Sequence, residues 1–309
     1  MDVAISGATG LIGSALARSL EGDGHRVVRI SRRPGGSAST GRGREVHWDP
    51  AAGTIDAAGL EGLDAVVHLA GEPIASGRFT EEHKRRVWTS RTAGTQLLAR
   101  TLAELSTPPG LLVSGSAIGY YGSRGDEVLT ESSPPGDDFL ADLCVAWEAA
   151  TGPASSAGIP VAHIRTGIVL STDGGMLGKV LLPYKLGLGG KAGRGDQWMS
   201  WIVLADVVRA IRHLIDHSVS GPVDLTAPEP VTNAEFNRAL GRAVHRPTLL
   251  PIPRIATKLP LGVGPLVDSL LFSGARVLPK ALDEAGFTFD HPRLDEALAA
   301  LVGRRHEVA

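Results

Sequence analysis

The sequence has little cysteine and no long apolar run. Cys144 is the single cysteine among 309 residues, which excludes an intramolecular disulfide and any metal site built from several cysteines. No apolar stretch approaches the roughly 20 residues that cross a bilayer, and the first residues lack the pattern of a signal peptide. We therefore expect a cytoplasmic protein without a membrane segment and without a metal.

An excess of charge of either sign is also absent. The 31 Lys and Arg residues nearly balance the 33 Asp and Glu residues. Without a dense basic run, the sequence predicts no binding of nucleic acid or of an anionic membrane. Hydrophobic residues make up 43% of the chain, enough for a large buried core. We expect a globular protein whose partner is a small-molecule substrate.

The chain does contain a glycine-rich turn near its start. An apolar run over residues 3–6 precedes Gly7, Gly10 and Gly13, and a helical pattern over 14–20 follows them. Gly7 allows a tight turn, Gly10 lets the backbone approach a pyrophosphate, and Gly13 lets the helix pack closely on the strand. The helix N-terminus offers unpaired N–H groups to phosphates. This context predicts a dinucleotide site, with a purely structural turn as the alternative. The predicted cofactor-binding residues here are Gly7, Thr9, Gly10, Leu11, Ile12 and Gly13.

Strand-like and helical patterns alternate through the first half of the chain. The strands are expected over residues 3–6, 26–31, 46–48, 65–70, 110–114 and 161–164. Long helices are expected over 80–105 and 138–150, and Asp206 is expected to cap a later one over 207–215. This alternation predicts an α/β fold, a doubly wound parallel sheet of the Rossmann type.

The composition changes about halfway along the chain, where Gly-rich and then Pro-rich stretches begin. We expect residues 1–165 to form the dinucleotide-binding Rossmann domain, with 200–222 returning to it. Residues 166–199 and 223–309 are expected to form a smaller α+β C-terminal domain on the substrate side. Substrate contacts would be built from this second part.

The residues after the second strand bear on the choice of dinucleotide. An NAD site usually has an acidic residue about 20 positions beyond the glycines, where this chain has Ser31, Arg32 and Arg33. Guanidinium groups pair bidentately with phosphate, so these residues favour NADP(H) through its 2′-phosphate. A solvated pair of loop arginines is the alternative. Asp49 is expected either to accept from the adenine amine or to cap the turn after it.

Several motifs lie where the predicted strands end. They include the glycine turn, His68 to Gly71 and Ser114 to Ala117, and together they resemble the short-chain dehydrogenase/reductase superfamily in its extended, sugar-nucleotide epimerase-like form. More specific stretches resemble the epimerase family proteins, which carry a C-terminal domain of unknown function. These stretches are residues 117–122, 139–141, 165–171, 197–202, 276–279 and 286–289.

The resemblance also exposes a missing catalytic pair. In the superfamily, a serine after the fifth strand orients the substrate, and a Tyr-x-x-x-Lys pair on the next helix performs acid–base chemistry. The resemblance places Ser116 at the serine but Leu140 and Cys144 at the tyrosine and lysine positions. None of the three tyrosines has a lysine four residues later. Neither leucine nor an ordinary thiol replaces a phenol and a cation.

Two tyrosines are candidates for the missing proton donor. Tyr120 and Tyr121 follow Ser116 closely, with buried aromatic packing as the alternative role. Cys144 is expected to be a small core residue. Arg91 stands where the superfamily often has asparagine, so the usual support for the lysine is altered as well.

Further polar residues are expected around the ligand. Arg165, at the end of the sixth strand, is assigned to the cofactor site, with a buried ion pair to Glu148 as the alternative. The resemblance implies a substrate-covering loop in which Gln197 and Trp198 hydrogen-bond to and stack on a ring. It also implies that Leu69, Ala70 and Gly71, at the end of the fourth strand, bind the cofactor. Glu72, which follows them, is expected to bind the substrate.

Together these expectations favour an NADP(H)-binding oxidoreductase or epimerase-like enzyme acting on a small carbonyl, alcohol or sugar-nucleotide substrate. The missing Tyr-Lys pair leaves an alternative, a non-catalytic NADP(H) sensor or assembly factor. Extended family members often dimerise through helices like those predicted over 80–105 and 138–150, so we expect a monomer or a homodimer.

Overall fold

The computed structural model describes residues 1–32, 44–74, 80–248 and 274–303, so the predicted site residue Arg33 lies outside the described residues. The strands are β1 (Asp2–Ser6), β2 (Arg26–Ser31), β3 (Arg44–Asp49), β4 (Thr54–Ile55), β5 (Ala65–His68), β6 (Leu111–Ala117), β7 (Val128–Leu129), β8 (Val161–Thr166), β9 (Ile168–Leu170), β10 (Trp198–Met199), β11 (Trp201–Val203), β12 (Gly221–Leu225), β13 (Val231–Thr232) and β14 (Arg276–Val277). The helices are α1 (Leu11–Gly22), α2 (Glu81–Ala103), α3 (Phe139–Ala149), α4 (Gly152–Ser156), α5 (Gly175–Lys185), α6 (Leu204–Asp216), α7 (Asn233–Ala243), α8 (Lys280–Glu284) and α9 (Leu294–Gly303).

A single large sheet organises the chain. Its strand order is β12-β8-β6-β5-β1-β2-β3-β4, and every neighbouring pair is parallel except β3 and β4. From β3 to β8 this is the doubly wound order, which reverses between β1 and β5. The structure therefore confirms the predicted Rossmann-type α/β fold.

Helices cover both faces of the sheet. On one face, α1 and α6 contact each other, and Leu16 and Leu20 pack in one core with Val3 and Ile5. On the other face, α2 contacts α3 and α4. Strands buried on both faces are apolar throughout rather than alternating, which is why β1 and β5 were visible in the sequence. No helix within the described residues is long and apolar enough to span a bilayer.

A third core lies beside the large sheet. It joins α5, α7 and α9 with the short strands β9, β10 and β11, and Trp201, Leu177, Phe236 and Leu298 are buried in it. Helix α7 begins with a capping box, since Thr232 accepts from Glu235 N and the Glu235 side chain accepts from Thr232 N.

Two observations differ from the domain division predicted above. Residues 223–225, which we placed in the second domain, belong to β12 of the large sheet, where their backbone pairs with β8 and the side chains of Val223 and Leu225 are buried in the core. Leu282 and Phe287 also pack in the core that α1 and α6 form with the sheet. The C-terminal residues therefore contribute to the core around α1 and α6 and, through α9, to the third core.

Carboxylates hold this C-terminal segment in place. Asp206 was expected to cap α6, but it lies inside the first turn, and its side chain accepts from Asp290 N and His291 N at 3.0 Å. Glu131 Oε1 accepts from Asp224 N and Ala281 N, also at 3.0 Å. The expected cap was wrong because these partners lie far away in sequence.

Several strand ends also differ from the prediction, and they matter for the site. Strand β5 ends at His68, two residues early, whereas β6 and β8 continue to Ala117 and Thr166. Ser116 and Arg165 consequently lie within paired strands, directly opposite each other.

Candidate functional site

The glycine turn, residues 7–13, connects β1 to α1 by a path that only glycine permits. Gly7 has a φ of +67°, and a Cβ there would lie 2.8 Å from the Leu69 carbonyl carbon. A Cβ on Gly13 would lie 2.3 Å from the Gly7 carbonyl oxygen. Gly10 N donates to Gly7 O at 2.9 Å and closes the turn. The tight turn and the close helix packing predicted from the spacing are both present.

Helix α1 begins at Leu11 without a side-chain cap. Gly10 is the N-cap residue, and Ser14 N is the donor that reaches its carbonyl oxygen. The N–H groups of the first turn have no acceptor within the helix, and they lie at its positive end. Thr9 and Gly10 are exposed beside them. This uncapped end fits the phosphates of a dinucleotide.

Ser6 links the glycine turn to the loop after β5. Its Oγ accepts from Leu69 N at 3.1 Å and from Ala70 N at 3.2 Å, and it lies 2.7 Å from His68 Nδ1. Because the two N–H groups occupy its lone pairs, the hydroxyl proton goes to Nδ1. The two loops therefore meet where the strand order reverses, the position at which such sheets bind ligands.

His68 is fully buried in its neutral form. Burial lowers the pKa of His68 to about 4. With Nδ1 accepting from Ser6, the other ring nitrogen carries the proton, and Nε2 has no partner among the described residues. Sequence reasoning gave no role to Ser6 or His68, although polar residues that end apolar strands were a usable signal.

At the far side of the glycine turn, Ser31 is half-buried and Arg32 is exposed at the end of β2. Asp49 ends β3, and its Oδ1 accepts from Ala51 N at 2.9 Å and Ala52 N at 3.2 Å. Of the two expectations for Asp49, the structure shows the turn cap, which does not support its assignment to the cofactor site.

A buried network, formed by Ser116, Tyr121, Glu148, Arg165 and Asp224, lies at the ends of β6, β8 and β12. Ser116 Oγ donates to Glu148 Oε1 at 2.7 Å. Arg165 binds the same carboxylate with two nitrogens, at 2.8 and 2.9 Å, and the two side chains are 4% and 12% exposed. The ion pair therefore fixes the carboxylate that orients Ser116.

The third guanidinium nitrogen of Arg165 donates to Tyr121 Oη at 3.0 Å and to Glu131 O at 3.3 Å. Every nitrogen of this side chain thus has an acceptor within the protein. The structure shows the alternative expected for Arg165, the buried pair with Glu148, and does not support its assignment to the cofactor site.

Tyr121 is also committed to this network. Its hydroxyl lies 2.8 and 2.9 Å from the Asp224 carboxylate oxygens and donates to them. Burial, followed by the charge of Asp224, raises the pKa of Tyr121. Burial and the nearby Glu131 raise the pKa of Asp224 to about 8, against the opposing effects of Tyr121 and Arg165. A fully buried phenol that holds its proton so firmly fits the packing alternative, not the expected proton donor.

Tyr120 has different surroundings. Its ring is half-buried and lies under the Arg165 guanidinium, whose Cζ is 3.4 Å from the ring centroid. Its hydroxyl makes no hydrogen bond to the described parts of the chain. Of the two tyrosines, Tyr120 is the one left with a hydroxyl for a ligand.

Helix α3 carries the residues at the positions of the missing pair. Cys144 is buried, as expected, and burial together with Glu148 raises the pKa of its thiol to about 12. A neutral thiol there gives no positive charge.

The predicted substrate residues lie apart from this network. Trp198 Nε1 donates to Asp126 at 2.7 Å, and the Arg276 guanidinium carbon is 4.5 Å from its ring. Gln197 Nε2 donates to Ala192 O at 3.3 Å. The structure therefore brings neither residue to Ser116, and both are engaged by their own protein.

Glu72 follows the loop tied to Ser6. Its backbone N–H donates to Ser90 Oγ at 3.0 Å, and its carbonyl accepts from Arg91 at 2.9 Å. These bonds fix the backbone of Glu72 beside Leu69, Ala70 and Gly71. The loop after β5 is consequently anchored at both ends.

Two family models match this chain. The family model described as the NAD dependent epimerase/dehydratase family matches residues 3–226. The chain belongs to this family. A domain of unknown function, DUF1731, matches residues 252–301. The resemblance predicted from the motifs is thereby confirmed.

Three relatives illustrate the match. An epimerase family protein of Mycobacterium bovis is 44% identical over 96% of either chain. The crystal structure of the human epimerase family protein SDR39U1 with NADPH superposes with a TM-score of 0.88, at 33% identity, covering 99% of this chain and 100% of that one. A nucleoside-diphosphate sugar epimerase from Corynebacterium glutamicum gives a TM-score of 0.78 at 37% identity, covering 98% of this chain and 58% of that one.

Proposed function

We propose that this family member binds NADP(H) and is an oxidoreductase or epimerase-like enzyme. The observation that carries the proposal is the uncapped N-terminus of α1. Gly7 and Gly13 shape the tight turn before it, and Ser6 joins that turn to the loop after β5. Arg32 at the end of β2 favours the 2′-phosphate form. The human relative crystallised with NADPH supports the same cofactor.

The geometry around Ser116 favours a substrate alcohol. When bound, NADP(H) gives or takes a hydride at nicotinamide C4. Ser116 directs its single proton to Glu148, so its hydroxyl oxygen accepts hydrogen bonds from other groups rather than donating one. A substrate hydroxyl can donate to this oxygen, whereas a carbonyl oxygen cannot. Tyr120, whose ring lies against Arg165 of the same network, is the proposed group for proton transfer with the substrate.

Calorimetry with NADPH, NADP, NADH and NAD tests the cofactor. We expect the 2′-phosphorylated forms to bind more tightly to the wild-type protein, and Arg32→Asp to abolish that preference, because a carboxylate repels the 2′-phosphate. Equal binding of all four would contradict the choice of NADP(H). No binding of any would leave the glycine turn as a structural element.

Turnover separates the enzyme from the alternative, a non-catalytic sensor or assembly factor. That alternative is favoured by the neutral Cys144 at the lysine position. We expect Ser116→Ala to abolish turnover in a panel of alcohols, carbonyls and nucleoside-diphosphate sugars while NADPH still binds. The last class is included because of the Corynebacterium glutamicum relative. Absence of turnover across the panel, together with a co-purifying protein, would favour the sensor.

A further inference from the structure

Arg91 in α2 is a buried cation that forms no ion pair with a carboxylate among the described residues. It is 7% exposed, its Nη1 donates to Glu72 O at 2.9 Å and to Val87 O at 3.3 Å, and its buried Nε has no partner among the described residues. A guanidinium stays charged at neutral pH, so an unpaired one in a buried position is costly. Arg165 is buried to a similar degree, yet every one of its nitrogens has an acceptor.

The guanidinium lies between two groups at the ends of β5 and β6. A Cβ on Gly71 would be 3.3 Å from the Arg91 Cζ, so the side chain lies against the loop after β5. On its other side, the Cζ is 4.9 Å from the Trp147 ring, which itself lies against Gly115 of β6. Cys144, at the position of the missing lysine, lies one turn before Trp147 on α3. The positive charge is therefore next to the place that lysine would occupy.

The topology decides which part of a dinucleotide meets this charge. The strand order reverses between β1 and β5, and the pyrophosphate lies at the glycine turn between them. The adenosine half extends over β2, toward Arg32, so the nicotinamide half extends over β5 and β6, toward Arg91. We infer that Arg91 donates to oxygen atoms of the nicotinamide nucleotide half of bound NADP(H), supplying the positive charge that Cys144 does not. The inference rests on the proposed function.

Two ligands test this assignment, NADPH and adenosine 2′,5′-bisphosphate, which has the adenosine half alone. We expect Arg91→Met to weaken NADPH binding by about 10- to 100-fold, the usual effect of losing hydrogen bonds to a charged group. Binding of the bisphosphate should stay within about twofold of the wild-type value, since it does not reach Arg91. Arg91→Lys, which keeps the charge, should restore part of the NADPH affinity.

Arg100→Met is the matched control, because Arg100 is an exposed arginine of the same helix. Equal losses for both ligands in Arg91→Met would overturn the inference and indicate a structural role, as would unchanged NADPH affinity. If Arg91→Met does not fold, Arg91→Lys decides, since a reduced preference for NADPH over the bisphosphate supports the contact and an unchanged one overturns it. If the wild-type protein binds neither ligand, the proposed function itself fails.

Discussion

The glycine turn and the buried network lie at the same edge of one sheet but are built from different parts of the chain. The turn uses backbone groups, glycines and the uncapped end of α1, all from residues close in sequence. The network uses polar side chains from β6 and the residues just after it, β8, α3 and β12, with Tyr121 and Asp224 separated by 103 positions. The glycine turn is thus local backbone, and the buried network is long-range side-chain pairing.

The largest effect should come from breaking the network. Removing one partner of a buried ion pair costs about 3–5 kcal/mol, so we expect Arg165→Met to lower the free energy of unfolding by that amount. NADPH affinity of the folded fraction should change little, because no guanidinium nitrogen is left for the cofactor. Urea unfolding measures the free energy of unfolding, and calorimetry at low temperature measures the NADPH affinity. The control is Arg242→Met, in an ion pair with both side chains more than half exposed, which should cost less than about 1 kcal/mol.

The two regions should also respond to pH in opposite directions. His68 has a pKa of about 4 in the fold and 6.5 otherwise, so between these values the unfolded chain binds the proton and the folded one does not. Stability is therefore lost as the pH falls from 6.5 to 4, by up to about 3 kcal/mol. In His68→Gln, the free energy of unfolding should depend less on pH across this range, as unfolding curves at several pH values would show.

Asp224 provides the counterpart in the network. Its pKa is raised from 3.8 to about 8, so the folded protein holds a proton that the unfolded chain releases. Stability is lost as the pH rises through this window, and Asp224→Asn should remove that loss without altering the acid side. If His68→Gln and Asp224→Asn changed the same side of the profile, the two regions would not be electrostatically separate.

A smaller change in stability, with a complete change in binding, is expected in the glycine turn. Gly13→Ala places a Cβ 2.3 Å from the Gly7 carbonyl oxygen, a backbone atom that has little room to move. We expect a loss of about 1–3 kcal/mol and of NADPH binding, because the helix must shift away from the turn. Gly22→Ala, at the other end of α1 with nothing within 4 Å, should leave NADPH binding unchanged and raise stability by at most about 1 kcal/mol. Thermal unfolding with and without NADPH compares the two variants.

The same difference explains what the sequence could predict. The turn was predictable because the positive φ of Gly7 and the close approach of Gly13 to the Gly7 carbonyl are both set within a few residues. The pairing of Arg165 with Glu148 was one of two open alternatives, since strand position alone does not say which way a guanidinium bonds. The role of Tyr121, which was expected as a proton donor, was not predictable from the sequence, because its partner, Asp224, lies on a strand whose neighbours depend on the complete sheet order.

Trp198 shows the same limit in the second half of the chain. Its motif is specific to the family, but the motif does not say what the indole contacts. Asp126 and Arg276 lie 72 and 78 positions away in the chain, and neither belongs to a periodic pattern that points to Trp198. Contacts of this kind follow from tertiary packing, which no local pattern encodes.

The carboxylates of Asp206 and Glu131 have a consequence for how the C-terminal segment can vary. Both accept from main-chain N–H groups, those of Ala281, Asp290 and His291. Nineteen of the twenty amino acids carry that donor, so these hydrogen bonds do not depend on which side chain stands at the three positions. Proline, which has no N–H, is the one residue that would remove them.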